Sequence, residues 1–198
     1  MTVNNLNDQQ LLELCRDGDD TAFGVLVERH QARLYHSLVV ILKSHEDAVD
    51  IVQEAFFQAH RKLDTFRGDS AFYTWLYRIA TNRALSFLRK QTQKQKPTSI
   101  EGLNETSGFD PAAPDSHGQP LKTVLREEHR QLVRETLDEL PDEYRFVLVM
   151  KEFGGLRYDE IAEETETPIG TVRSRIHRGR IELAERLKRK LEGWSDTE

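Results

Sequence analysis

Apolar residues recur at helical spacing along most of this chain, and the pattern lapses in one long block between residues 97 and 120. That block holds four of the six prolines (Pro97, Pro111, Pro114 and Pro120), together with Gly102, Gly108 and Gly118. Proline removes a backbone donor and glycine raises the entropy lost on ordering, so no long helix is expected to pass through. The acids Glu101, Glu105, Asp110 and Asp115 add charge but no apolar face. The block reads as a flexible acidic linker, or as a segment that orders on a partner.

Helical patterns on either side predict two modules. The first contains helices over about 8–16, 21–42, 44–63 and 71–91, the third capped by Ser44 with Asp47 in its first turn. The second contains helices over about 121–137, from Pro141 to Gly154-Gly155, over 158–164 and over 169–191. β-branched residues rarely alternate with polar ones. The expected fold class is therefore all-α: two small helical bundles on a tether, with a first domain at 1–95, a linker at 96–121, a second domain at 122–192 and a tail at 193–198.

With 198 residues of which 37% are hydrophobic, two lean cores are easier to build than one thick one. No apolar run reaches the roughly 20 residues of a membrane span, and the N-terminus lacks the basic start and apolar stretch of a secretion signal. The chain is expected in the cytoplasm, without membrane insertion. One cysteine, Cys15, excludes an internal disulfide; among Leu11, Leu12 and Leu14 it reads as a small buried hydrophobe rather than a reactive thiol. The seven histidines lack metal-ligand spacing, no glycine-rich phosphate loop is present, and no nucleophile has an evident base. Neither an enzyme, a metal site nor a cofactor is expected.

The net charge of −6 argues against a nucleic-acid binder until the charges are located. From Thr171 to Ile181 there are four arginines, one histidine and no acid. At about 100° per residue, Val172, Ile176 and Leu183 fall on an inner arc of this helix. Gly170, Arg173, Ser174, His177 and Arg178 fall on the opposite arc, flanked by Thr171, Arg175 and Arg180. Thr167 is placed to cap the helix and Pro168 to occupy its first position, with a short helix containing Ile161 and Ala162 just before it. This is helix-turn-helix spacing, and its outer face suits a major groove: Arg173, Ser174 and Arg178 for base edges, Thr171, Arg175 and Arg180 for the backbone.

The first module changes sign along its length. On the helix ending at Leu63, Ala48, Val49, Val52, Phe56 and Ala59 share an inner side. Asp47, Asp50 and Glu54, with Gln53 and Gln58 beside them, share the outer one, and Ile51 and Phe57 are expected among these acids. Exposed apolar groups between acids suit a protein-binding surface as well as they suit a solvated face. Between Arg61 and Lys96 nine basic residues stand against two acids, interleaved with Phe66, Phe72, Tyr73, Trp75, Tyr77 and Phe87. Cations for phosphates and flat rings for unpaired bases are what single-stranded nucleic acid requires. Phe72, Trp75, Leu76 and Ile79 share a side that reads more as core than as base platform, with Trp75 open between core and base-stacking, whereas Tyr73 and Tyr77 point elsewhere as better candidate platforms. Arg78, Asn82 and Arg89 form a narrow polar stripe.

Three runs carry a family resemblance. Leu140-Pro-Asp-Glu-Tyr-Arg145, Gly155-Leu-Arg-Tyr-Asp-Glu-Ile-Ala162 and Pro168-Ile-Gly-Thr-Val-Arg-Ser-Arg-Ile-His-Arg178 resemble the fourth region of bacterial sigma factors, which reads the −35 promoter element. Asp47-Ala-Val-Asp-Ile-Val-Gln-Glu-Ala-Phe-Phe57 is similar to the segment that docks on the clamp helices of the largest RNA polymerase subunit. Phe66-Arg-Gly-Asp-Ser-Ala-Phe-Tyr-Thr-Trp-Leu-Tyr-Arg-Ile-Ala80 resembles the part that melts and reads the −10 element. With no further region between the modules, the resemblance is to the small extracytoplasmic-function (ECF) class.

The resemblance implies core polymerase as partner, through its clamp helices and the flap of its second-largest subunit. It also implies promoter DNA, duplex and single-stranded, and an anti-sigma factor. Asp47, Asp50, Gln53 and Glu54 would touch polymerase. Phe66, Arg67, Asp69, Ser70, Phe72, Tyr73, Arg78, Asn82 and Arg83 would meet the −10 element, and Gly170, Thr171, Arg173, Ser174, Arg175, His177 and Arg178 the −35 element. One position departs from the family: Arg157 stands where Ser or Thr commonly caps the next helix, which costs about 1 kcal/mol of local stability. The rival reading, a helix-turn-helix regulator of duplex operators, accounts for 169–180 but needs neither the acidic helix nor the aromatic basic block.

Overall fold

The computed structural model describes residues 3–94 and 120–195, without side-chain detail at residues 4, 92–94, 120–128 and 193–195. Every regular element among the described residues is helical, and they form two compact units. Most of the expected linker lies outside the described residues, as do the side chains of Lys94 and Lys96.

In the first unit α1 spans Asp8–Arg16, α2 Asp20–Leu42, α3 His45–Arg61 and α4 Phe72–Lys94. Each start has a local cause. Asn7 accepts from the Gln10 amide at 2.9 Å while Gln10 accepts from the Asn7 amide at 3.0 Å, which closes a reciprocal cap on α1. Asp19 accepts from the Thr21 amide to start α2, and Ser44 from the Asp47 amide to start α3. α3 stops at Arg61, two residues before the expected end, and Leu63–Thr65 continues as a 3-10 turn. α2 packs against α1, α3 and α4, burying Leu26, Leu34, Leu38 and Ile41 with Ala48, Ala55, Leu76 and Ala80. Cys15 is half-buried; burial and the charges of Asp19 and Asp20 push its thiol above the ordinary range.

The N-terminal segment is held by one carboxylate. Asp8 accepts from Arg29 Nη1 at 2.5 Å and bonds His30 Nε2 at 2.8 Å, while Arg29 Nη2 donates to the Leu6 carbonyl at 2.8 Å. The His30 ring lies 5.7 Å from that of Phe72 and 5.6 Å from that of Tyr73, so it joins α1, α2 and α4.

In the second unit α5 spans Pro120–Asp138, α6 Asp142–Glu152, α7 Tyr158–Thr165 and α8 Ile169–Ser195. α8 runs through the first residues of the expected tail. Gly155, at φ +71°, turns the chain after α6 in a conformation that costs glycine little. Arg157 does not prevent α7 from starting: Glu160 accepts its backbone amide at 2.8 Å, and its guanidinium pairs with Asp159 at 3.0 Å. The Thr167 hydroxyl does not cap α8 as expected. It donates to the Thr165 carbonyl, and the helix instead opens from the Pro168 carbonyl, which accepts from Thr171 and Val172. Val172 and Ile176 are buried against a core of Leu148, Met150, Leu156 and Ile161, and Leu183 is half-buried.

At Gly179 α8 passes close against α6. A Cβ placed there would stand 2.9 Å from Leu148 Cδ1 and 3.1 Å from Tyr144 Cβ. Helix propensity alone favours replacing this glycine, but the approach to Tyr144 lies at the root of a side chain and cannot relax cheaply. Gly179→Val is expected to lower unfolding free energy by about 1–3 kcal/mol in urea titration of the full chain. Unchanged stability would show that α6 and α8 can separate freely.

Burial, the largest influence, holds the His30 pKa below its ordinary value of 6.5 against the opposing pull of Asp8, with Arg29 and Arg33 adding to the depression. The unfolded chain therefore binds this proton more readily. The stability carried by the neutral ring is complete above about pH 6.5 and is lost as pH falls toward the folded value. Urea midpoints at about pH 7 and pH 5.5 should differ more in the native chain than in His30→Gln; parallel loss in both would assign the acid sensitivity elsewhere.

Candidate nucleic-acid interface

α4 divides into two faces. Phe72, Tyr73, Leu76, Tyr77, Ala80, Thr81 and Ala84 are buried, and Tyr77 shares a 2.7 Å hydrogen bond with Ser37 of α2. The outer face carries half-buried Trp75 and Arg78, then exposed Asn82 and Arg89. The polar stripe expected from the sequence is thus on the surface.

The rings are a different matter. Tyr73 is 5% exposed and Tyr77 fully buried, so the expectation that they stand ready as base platforms is corrected. Arg33 lies over the Tyr73 ring at 3.9 Å from its centroid, and the buried Tyr73 hydroxyl has no hydrogen-bond partner among the described residues. Desolvation drives both phenols above their ordinary pKa, so both stay neutral. Trp75, open between core and base-stacking on sequence grounds, is the half-buried ring of a cluster, 5.1 Å from Phe66 and 6.0 Å from Phe72. Phe66 and Phe72 themselves are buried and meet edge to face at 6.1 Å.

Between those two buried rings the loop of Arg67, Gly68, Asp69, Ser70 and Ala71 is exposed throughout. Gly68 adopts φ +79°, and Ser70 donates weakly to the Ala71 carbonyl at 3.3 Å. The loop therefore presents Arg67, Asp69 and Ser70 at the end of the α4 stripe.

On α3, Asp50 and Gln53 are exposed and Asp47 and Glu54 half-buried, along one edge. Phe57 stands 63% exposed among them with Arg61 over its ring at 5.7 Å, as expected of an apolar group between acids. Ile51 does not join it; at 5% exposure it belongs to the core. Glu54 forms an ion pair with Arg83 of α4, so the acidic edge and the basic helix are linked by a charge pair absent from the sequence reading. Spacing gives no hint of this pair, since its members lie on different helices.

In the second unit α8 exposes Gly170, Arg173, Ser174, His177 and Arg178, with Thr171 and Arg175 half-buried at the flanks. The arginines sort into two kinds. Arg175 pairs with Glu143 at 2.9 Å and Arg180 with Glu152 at 2.5 Å, both acids on α6. Arg173 and Arg178 have no acidic partner among the described residues. Ser174 donates to the Thr171 carbonyl at 2.9 Å, which orients its oxygen along the helix. The surface left open is a short strip of these two arginines with a histidine and a serine, carried on a helix, the element a major groove admits.

Comparison with known proteins agrees with this arrangement. The models of sigma-70 region 2 and sigma-70 region 4 match residues 26–94 and 130–183. The ECF RNA polymerase sigma-E factor of Escherichia coli K12 is 43% identical over 175 residues, 88% of this chain and 91% of that one. The RNA polymerase sigma-H factor of Pseudomonas aeruginosa is 42% identical over 176 residues, 87% and 90% of the two chains. Among solved structures, the sigma factor RpoE of Bartonella quintana, in complex with the anti-sigma factor NepR, superposes with a TM-score of 0.56 at 25% identity, covering 85% of this chain and 97% of that one. CnrH, in complex with the cytosolic domain of CnrY, gives 0.56 at 25%, covering 91% and 97%. The region 2 match embraces the acidic edge and the basic aromatic helix that a simple operator-binding regulator does not need. On the strength of this identity and coverage, the chain belongs to the extracytoplasmic-function sigma factors of bacterial RNA polymerase.

Proposed function

We propose that this sigma factor divides promoter reading between its two units. The first, at about 1–95, holds polymerase with one helix and the −10 strand with the next. The second, at about 122–192, reads the −35 duplex. The observation that carries this reading is the segregation of charge: acids along the outer edge of α3, cations along α4, and on the open face of α8 two arginines without an acidic partner among the described residues.

In this assignment Asp47, Asp50, Gln53 and Glu54 meet the clamp helices of the largest polymerase subunit. The loop from Arg67 to Ser70, with Arg78, Asn82 and Arg83, grips the displaced −10 strand. Phe66, Phe72 and Tyr73 shape the pocket wall from behind, since their rings are buried. Trp75 supplies the partly exposed aromatic face for a base. Arg173, Ser174 and Arg178 read base edges and His177 lies beside them, while Gly170 and Thr171 admit the backbone and Arg175 holds α8 on α6. The second unit also meets the polymerase flap.

The chain does no chemistry of its own; polymerase supplies it, in the cytoplasm. No helix among the described residues is long and apolar enough to cross a membrane. Two solved relatives were captured with a second protein, in one case named an anti-sigma factor, and such a partner is assigned here as well.

Run-off transcription by core polymerase should become promoter-specific on adding this protein, whereas the protein alone should shift duplex DNA only weakly at matched salt. Nanomolar binding to duplex without polymerase would favour the regulator reading. Within the same assay Arg178→Ala should cost about 1–3 kcal/mol of selectivity at the −35 element, the usual scale of a lost bidentate contact. Equal loss on scrambled DNA would demote Arg178 to a phosphate ligand.

The cleanest test of the polymerase edge is Asp50, because a change at Glu54 also strands Arg83. Asp50→Lys should weaken co-purification with core polymerase about tenfold while leaving the melting temperature unchanged. Undiminished co-purification would remove α3 from the interface.

A further inference from the structure

We infer that Arg16, at the end of α1, is a positioning residue for the loop that selects the −10 base. Its Nη2 donates a 2.6 Å hydrogen bond to the carbonyl of Phe66, fifty residues away. The inference rests on the assignment of the 67–71 loop to the −10 strand.

A loop that recognises a base must hold its donors in place before the base arrives, because ordering on contact subtracts from binding. At its far end this loop is secured by the first turn of α4, where the Trp75 amide donates to the Ala71 carbonyl at 3.2 Å. At its near end the Phe66 amide donates to Leu63 at 3.1 Å, and the Phe66 ring is buried against Phe72 and Trp75. Neither contact fixes the plane of the peptide joining Phe66 to Arg67. A buried ring keeps its place whichever way that carbonyl points, and Gly68, at φ +79°, lets the following residues accommodate either choice. The Arg16 guanidinium removes this freedom. It offers the carbonyl a charged donor, stronger than a neutral one, and so sets the direction in which Arg67 leaves the core.

Arg16 is itself well placed to act as a fixed point. α1 is seated on α2 through Leu11 and Leu12, both buried, and its start is tied down by Asp8 on Arg29 and His30. The exposed loop is therefore referenced to the body of the first unit through one side chain.

Randomised templates test this without a defined promoter sequence. Holoenzyme transcribes two template libraries, one randomised across the −10 element and one across the −35 element, and the transcripts are sequenced. Arg16→Ala should reduce base enrichment at its most selective −10 position about tenfold, the scale of one mismatched contact, and leave −35 enrichment and core binding as they were. Arg16→Lys, which keeps one charged donor, should recover part of the loss. If Arg16→Ala folds poorly, Arg16→Gln gives the same readout. Native −10 enrichment in these variants, or equal loss in both libraries, overturns the inference, since a merely structural tie would act on both elements alike. No enrichment by the native protein in either library would overturn the promoter-reading assignment itself.

Discussion

The hydrogen bond between Tyr77 and Ser37 decides which side of α4 faces outward. Both groups are fully buried, and each is the other's partner at 2.7 Å. Stranding a buried hydroxyl costs about 1–3 kcal/mol, so rotating α4 by one residue would orphan two at once. With Tyr77 fixed, Tyr73 one turn earlier must also point inward, where its ring lies beneath Arg33 and beside His30. Arg78, Asn82 and Arg89 are then obliged to lie outside. The outward polar stripe is thus a consequence of a buried polar pair on the opposite side of the same helix.

The second unit solves the same problem without a buried polar lock. Val172, Ile176 and Gly179 form the inner line of α8, and the missing side chain at Gly179 lets α8 settle onto Leu148 and Tyr144. Arg175 with Glu143 and Arg180 with Glu152 then fasten the flanks to α6. Exposed pairs of this kind contribute little to stability, commonly under about 1 kcal/mol. Their larger effect is on orientation: they hold two cations sideways and leave the arc between them clear.

Periodicity alone makes the helices, the division into two units and the outer arc of α8 legible in the sequence, because each depends on residues a few positions apart. Burial around α4 is not legible in the same way. Its inner arc is centred on Tyr73, Leu76, Tyr77 and Ala80, whereas hydrophobic spacing places Phe72, Trp75, Leu76 and Ile79 inward. Tyrosine is amphipathic, and which way it turns is settled by tertiary surroundings: Tyr77 finds a hydroxyl partner forty residues away, and Tyr73 turns in beneath Arg33. Tryptophan on the other side fills the margin and stays half open. Ile51 departs from expectation for a related reason, since α2 and α4 enclose α3 more widely than one stripe implies. Glu54 with Arg83 and Arg16 with Phe66 join different elements, so no local pattern could announce them.

A chain of net charge −6 that must approach a polyanion looks miscast until its acids are traced to their partners. Glu143, Glu152 and Glu139 neutralise Arg175, Arg180, Arg186 and Lys190, all on α8. Each cation so occupied is one fewer to release a counterion from DNA, and affinity for any sequence falls accordingly, by a salt exponent of about 0.9 per phosphate contact. What remains on the open arc is Arg173 and Arg178, few cations for tight indiscriminate binding and, in the proposed assignment, the two that read base edges. These acids therefore subtract from general affinity while leaving Arg173 and Arg178 untouched. In the proposed division of labour such a protein depends on a scaffold to bring two weak surfaces to one promoter, where a second contact made at high effective concentration restores the affinity that neither has alone.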